Sequence, residues 1–145
     1  MLLENRKAKF NYEFLEHLDA GIELLGHEVK SLRAKLGSLE GAYVIVRGNE
    51  AFLVNVYIPA YQPKNIPKGY DERRNRKLLL TKKELALLEG AESKKGLTIV
   101  PISVYNKGRK LKVSLAVARG KKKFDKRETI KKRGTERDMR RSMNE

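Results

Sequence analysis

Few residue types in this chain could support covalent or metal chemistry. The two histidines, His17 and His27, stand ten residues apart with no H-E-x-x-H arrangement and no carboxylate pattern to complete a metal site. Cysteine is absent, which excludes thiol catalysis, disulfide scaffolds and Cys-based zinc sites. The glycines form neither a P-loop nor a G-x-G-x-x-G, and there is no G-x-S-x-G. Acidic residues mostly interleave with basic ones, as in Asp71-Glu72-Arg73-Arg74, a pattern of solvated surface pairs. What remains is cationic. Between Lys64 and Lys83 eight basic residues face only Asp71 and Glu72, and Tyr61 and Tyr70 lie in or beside the same stretch. Aromatic faces beside cations are what unpaired bases stack on; the competing readings are a solubilising loop and rings packed into a core with wet hydroxyls.

These residues need a scaffold, and 145 residues with 40% hydrophobic content suffice for one domain. The net charge of +15 points to a polyanionic partner, nucleic acid or an anionic membrane surface. The longest apolar run, Ala42 to Val46, is far short of the roughly 18 residues of a membrane span, and Met1 to Lys9 has no apolar stretch of signal-peptide type, so a soluble cytoplasmic protein is expected. The charge divides by position: +8 over residues 1–118 and +7 over residues 119–145. Only Phe124, Ile130, Met139 and Met143 are large and apolar in that last stretch, so a body over 1–119 and a basic tail over 120–145, disordered in isolation, are expected.

Within the body, Phe10, Tyr12 and Phe14 alternate with polar residues, which predicts a strand. Tyr43 to Val46 and Phe52 to Ile58 flank Arg47-Gly48-Asn49-Glu50 as a hairpin, and Leu97 to Tyr105 and Leu111 to Val117 flank a second turn at 106–110. Gly26 to Leu36 puts Val29, Leu32 and Leu36 on one helical stripe. Thr81 and Glu84 form a T-x-x-E capping box for a further helix. Pro59 to Lys77 is expected as a loop. The fold class is therefore mainly β, a small closed or partly closed antiparallel barrel with interspersed helices.

Asn5 to Ala8 (N-R-K-A), Ala20 to Arg33 (A-G-I-x-L-x-G-x-E-V-K-S-L-R), Arg76 to Leu80 (R-K-L-L-L), Lys95 to Pro101 (K-G-L-T-I-V-P) and Ala118 to Arg127 (A-R-G-K-K-K-F-D-K-R) follow one another in an order that resembles the SsrA-binding protein family, also called small protein B. The resemblance implies an oligonucleotide-binding-type barrel with two or three flanking helices, and a non-catalytic, cofactor-free adaptor. It implies binding to the tRNA-like domain of transfer-messenger RNA and its delivery, alanylated and with elongation factor Tu, to stalled bacterial ribosomes. By position it implies tRNA-like-domain contacts at Glu28, Leu79 and Thr81, with Lys30, Arg33, Lys77 and Lys107 as phosphate partners. Position 81 often holds Asn or His in the family; Thr81 keeps a hydroxyl and also suits a helix cap. The tail is implied to become helical in the messenger-RNA channel and to reach the ribosomal RNA of the decoding centre, with Asp125, Lys126 and Arg127 matching its D-K-R motif. Phe124, where His or Tyr is common, keeps a ring for stacking and loses a hydrogen-bonding atom.

Two readings of Glu28 stay open in the sequence: an acceptor for base or ribose groups of RNA, or a first-turn carboxylate favoured by the positive end of its helix. A general single-strand RNA-binding barrel and a nuclease are the competing functions.

Overall fold

The computed structural model describes residues 1–62 and 68–121. In chain order these form β1 (Leu3–Glu4), α1 (Arg6–Asn11), β2 (Tyr12–Ile22), α2 (Gly26–Arg33), β3 (Tyr43–Arg47), β4 (Glu50–Val54), β5 (Arg76–Leu79), α3 (Lys82–Ser93), β6 (Leu97–Lys107) and β7 (Lys110–Gly120). Every pairing is antiparallel, in one sheet ordered β1-β6-β7-β2-β5-β4-β3. The sheet curls until β3, at its edge, lies against β6. The result is the mainly β barrel the alternation predicts, with three helices on it.

Turn chemistry sets the hairpin registers. Gly48 (φ 59°) and Asn49 (φ 62°) are both left-handed, the geometry of a two-residue turn whose twist matches its strands. That turn pairs Arg47 with Glu50. Gly108 (φ 63°) opens the tip between Lys107 and Lys110. Inside, Leu39, Leu53, Val56, Ile58, Leu88, Ile99, Val113 and Leu115 are essentially inaccessible and form one apolar core.

Local chemistry moves several expected boundaries. Phe10 lies in α1 and the strand begins only at Tyr12, because the Asn5 side chain accepts the Ala8 N–H (3.2 Å) and starts a helical turn. β4 stops at Val54, not Ile58, where Asn55 takes φ 67° and breaks the ladder. α2 stops at Arg33, short of Leu36, because Lys35 (φ 61°) and Gly37 (φ 116°) turn the chain away. The stretch expected as a loop to Lys77 gives up its last two residues to β5. The capping box at Thr81 starts α3 as expected.

Asn5 also closes the barrel. Its Nδ2 donates to the carbonyls of Pro101 (2.9 Å) and Leu39 (3.3 Å), joining α1, β6 and the segment before β3. Pro101 sits at a register shift in β6, where the ladder does not require its missing N–H. Asn5→Ala removes the acceptor of the Ala8 N–H and the side-chain donor to the Pro101 carbonyl, while the Leu39 carbonyl keeps the Ala42 N–H (3.0 Å); the change is expected to cost about 2 kcal/mol, measurable by denaturant unfolding.

Candidate nucleic-acid interface

Glu28 is the third residue of α2, and its Oε1 accepts the Leu25 N–H at 2.7 Å, closing the first turn of the helix. The carboxylate is wholly buried. Arg76 approaches from β5 with Nε 2.7 Å from Oε2 and is itself fully buried. Its other donors go to the carbonyls of Val56 (2.8 Å), Arg74 (3.1 Å) and Glu72 (3.0 Å) and to the Tyr70 hydroxyl (3.0 Å), so all five guanidinium N–H groups are used. Arg74 closes the other side, with Nε 3.2 Å from Oε2 and Nη2 on Oε1. The Tyr70 oxygen lies 2.9 Å from both Glu28 Oε2 and the Ile58 carbonyl, and its single proton serves one of them at a time.

Two guanidinia around one carboxylate make an ion triad whose removal from water is offset by near-complete hydrogen bonding. Burial alone would raise the Glu28 pKa, but hydrogen bonds from Arg74 and the Leu25 N–H, with the charge of Arg76, hold it down from 4.5 to about 2. The Tyr70 hydroxyl is pushed up to about 12, first by burial and then by its bond to Glu28. The triad fastens the segment before β5 onto α2 and Ile58.

Beside it the surface opens into a groove of about 360 Å³. Its apolar wall contains Ile22, Leu24, Val29, Leu79 and Leu111; its rim is Arg109, Lys110 and Lys112. Leu79 is 50% exposed, unusual for a strand leucine with an apolar groove at hand. It can stand there because Gly21 is opposite in the ladder; a Cβ on Gly21 would come within 3.1 Å of the Leu79 Cβ. The basic rim is held by Arg33, whose Nη2 donates to the Arg109 carbonyl at 2.9 Å and pins the β6–β7 tip to α2. Among the described residues no group of three or more His, Asp or Glu side chains is arranged to hold a metal ion, and no helix is long and apolar enough to cross a membrane.

A family model described as SmpB protein matches residues 2–145. The chain belongs to the SmpB family. Similar relatives include an SsrA-binding protein of Gloeothece citriformis, 49% identical over 99% of this chain and 92% of the relative. One of Mesoplasma florum is 50% identical over 92% of this chain and 89% of the relative. A solved structure described as "tmRNA-SmpB: a journey to the center of the bacterial ribosome" matches with a TM-score of 0.70 and 48% identity, covering 83% of this chain and 85% of that one.

The RNA-contact positions expected from the SmpB resemblance fall into separate environments. Leu79 is in the groove and Arg33 supports its rim. Lys77 shares the outward face of β5 with Leu79, two residues away, and lies 3.2 Å from Glu50. Lys30 and Lys107 are exposed and line neither the groove nor the face around Lys77. Thr81 spends its hydroxyl on the α3 cap, accepting the Glu84 N–H at 3.2 Å. Glu28 offers no acceptor to solvent, so any influence on RNA passes through what it holds. Phe124, Asp125, Lys126 and Arg127, within the SmpB match, lie outside the described residues.

The basic stretch from Lys64 to Lys83 is less cationic toward solvent than its composition implies. Arg74 and Arg76 share the one Glu28 carboxylate, which offsets half of their charge and takes Arg76 out of solvent, Lys77 meets Glu50, and Tyr70 supplies a hydroxyl to the triad. Sequence reasoning missed this triad and the basic rim at 109–112. The signal was the alternation Arg76-x-Leu78, which puts an arginine on the inward side of a strand and requires a buried carboxylate.

Proposed function

We propose that this SmpB-family chain is a cytoplasmic, non-catalytic adaptor that binds the tRNA-like domain of transfer-messenger RNA and carries it, with elongation factor Tu, to stalled bacterial ribosomes. The observation that supports this reading best is the groove centred on half-exposed Leu79 and rimmed by Arg109, Lys110 and Lys112. Apolar side chains at its floor favour contact with bases and riboses, while the three cations favour the backbone passing over them. Arg33 supports the rim, Lys30 and Lys107 add positive potential around it, and Lys77 stands two residues before Leu79 on the same face of β5. The tail residues Phe124, Asp125, Lys126 and Arg127 serve a second RNA surface, the ribosomal RNA of the decoding centre and messenger-RNA channel.

A structured groove selects a folded RNA. In competition binding at fixed salt, transfer-messenger RNA is expected to displace bound RNA at concentrations at least tenfold lower than an unstructured RNA of equal length. Equal competition would favour a general single-strand binder, and degradation of the RNA during prolonged incubation with magnesium would favour a nuclease.

A further inference from the structure

Adjoining the groove, with which it shares Ile22 and Leu24, lies an open cleft of about 750 Å³, bordered by Glu23, Leu25, Phe52, Arg74, Asn75 and Lys77. Phe52 is its unexpected element. In β4 the flanking residues Ala51 and Leu53 point into the barrel and are fully buried, so Phe52 faces outward, opposite Lys77 in the ladder. It belongs to neither apolar core cluster nor to the residues packed against them. Leu25, across the cleft, is 40% exposed.

Polar capacity surrounds this ring. Arg74 commits three of its five N–H groups, two to Glu28 and one to the Asn75 carbonyl, which leaves two available. Its guanidinium is partly exposed and is held by a carboxylate that is itself fully buried. The Asn75 side-chain amide is exposed and carries no partner among the described residues. The local charges cancel only when Arg76 is included: Lys77, Arg74 and Arg76 are balanced by Glu50, Glu28 and Glu23. A phosphate gains little in such surroundings. A neutral, flat group with donors and acceptors on its edge matches them well.

We infer that this cleft is a subsite for one unpaired nucleobase of the bound RNA, which stacks on Phe52 and presents its edge to Arg74 and Asn75. The assignment rests on the RNA-binding reading proposed above and extends it from a groove that takes backbone and ribose to a pocket that takes a base. Glu28 enters as a positioning residue: it fixes the Arg74 guanidinium before the RNA arrives, which lowers the ordering cost of the contact.

The test uses the full-length chain and transfer-messenger RNA, with equilibrium titration and chemical probing of the Watson–Crick edges of unpaired bases. Phe52→Leu keeps an apolar side chain and removes the ring; it is expected to weaken binding about tenfold and to unmask one base that the unaltered protein protects. Phe52→Tyr restores both affinity and protection. Asn75→Ala, which removes no side-chain contact within the described protein, weakens binding several-fold. Thermal midpoints of all three stay near that of the unaltered chain. If Phe52→Leu binds and protects like the unaltered protein while Leu79→Ala still weakens binding, the subsite is overturned and the function stands. If the unaltered protein does not prefer transfer-messenger RNA to unstructured RNA, both fall together.

Discussion

Glu28→Gln is expected to destabilise the barrel by about 3 kcal/mol or more, lowering Tm by roughly 10 °C. The amide fills the same space, so the loss is electrostatic. Arg76 remains wholly buried with its counter-charge gone, and one end of the amide turns an N–H toward donors that need an acceptor. The pH profile identifies the group. A carboxyl held down to about 2 from 4.5 contributes its full stabilisation above pH 4.5 and loses it as pH falls toward 2. The unaltered protein therefore loses stability across that window, and Glu28→Gln lacks this component while sharing the rest of the acid transition. RNA affinity falls in the variant at temperatures where it is still folded, because Arg74 and the segment around Tyr70 lose their anchor. A variant that unfolds with the same midpoint and the same acid profile as the parent would show that the triad contributes nothing.

Removing residues 122–145 is expected to abolish peptide tagging on a stalled ribosome while changing affinity for the tRNA-like domain less than about threefold. The cut belongs after Lys121. β7 runs to Gly120 opposite Tyr12, and the Lys121 N–H still donates to the Asn11 carbonyl at 2.8 Å, so an earlier cut would fray the sheet and confuse the result. The groove and the Phe52 cleft are built wholly from residues that remain. What is lost carries +5 of the +15 net charge, about a third, and a nonspecific electrostatic contribution to RNA binding would shrink with added salt. Tagging measured in a reconstituted translation reaction, beside RNA titration at two salt concentrations, separates the surfaces. Equal losses in both assays would refute the division of labour between body and tail.

Much of the barrel was legible in the sequence because its signals are local. Gly48-Asn49 and Gly108 announce the two hairpins, and Thr81 with Glu84 announces α3. The elements misjudged were those decided by distant partners. Nothing near Phe10 in sequence says that Asn5 will be held by Pro101 and Leu39 and so begin a helix. The R-K-L-L of β5 follows a charged segment and looks like its continuation until Glu28, 48 residues away, accepts the arginine. The site was legible to the same extent. Leu79 lies in the groove and Arg33 braces its rim, whereas Glu28 is an interior group, and Phe52 passed as ordinary strand filling because alternation alone does not say which face is in.

The eleven residues of β2 set a length. Tyr12, at one end, lies beside the point where the chain leaves the barrel at Lys121, and Gly21, near the other, lies under Leu79. At about 3.4 Å per residue the two are roughly 30 Å apart along a strand paired on β7 through nearly its whole course. The strand is thus a stiff ruler between the groove and the position of Lys121, and its residue count, more than any side chain on it, sets that spacing.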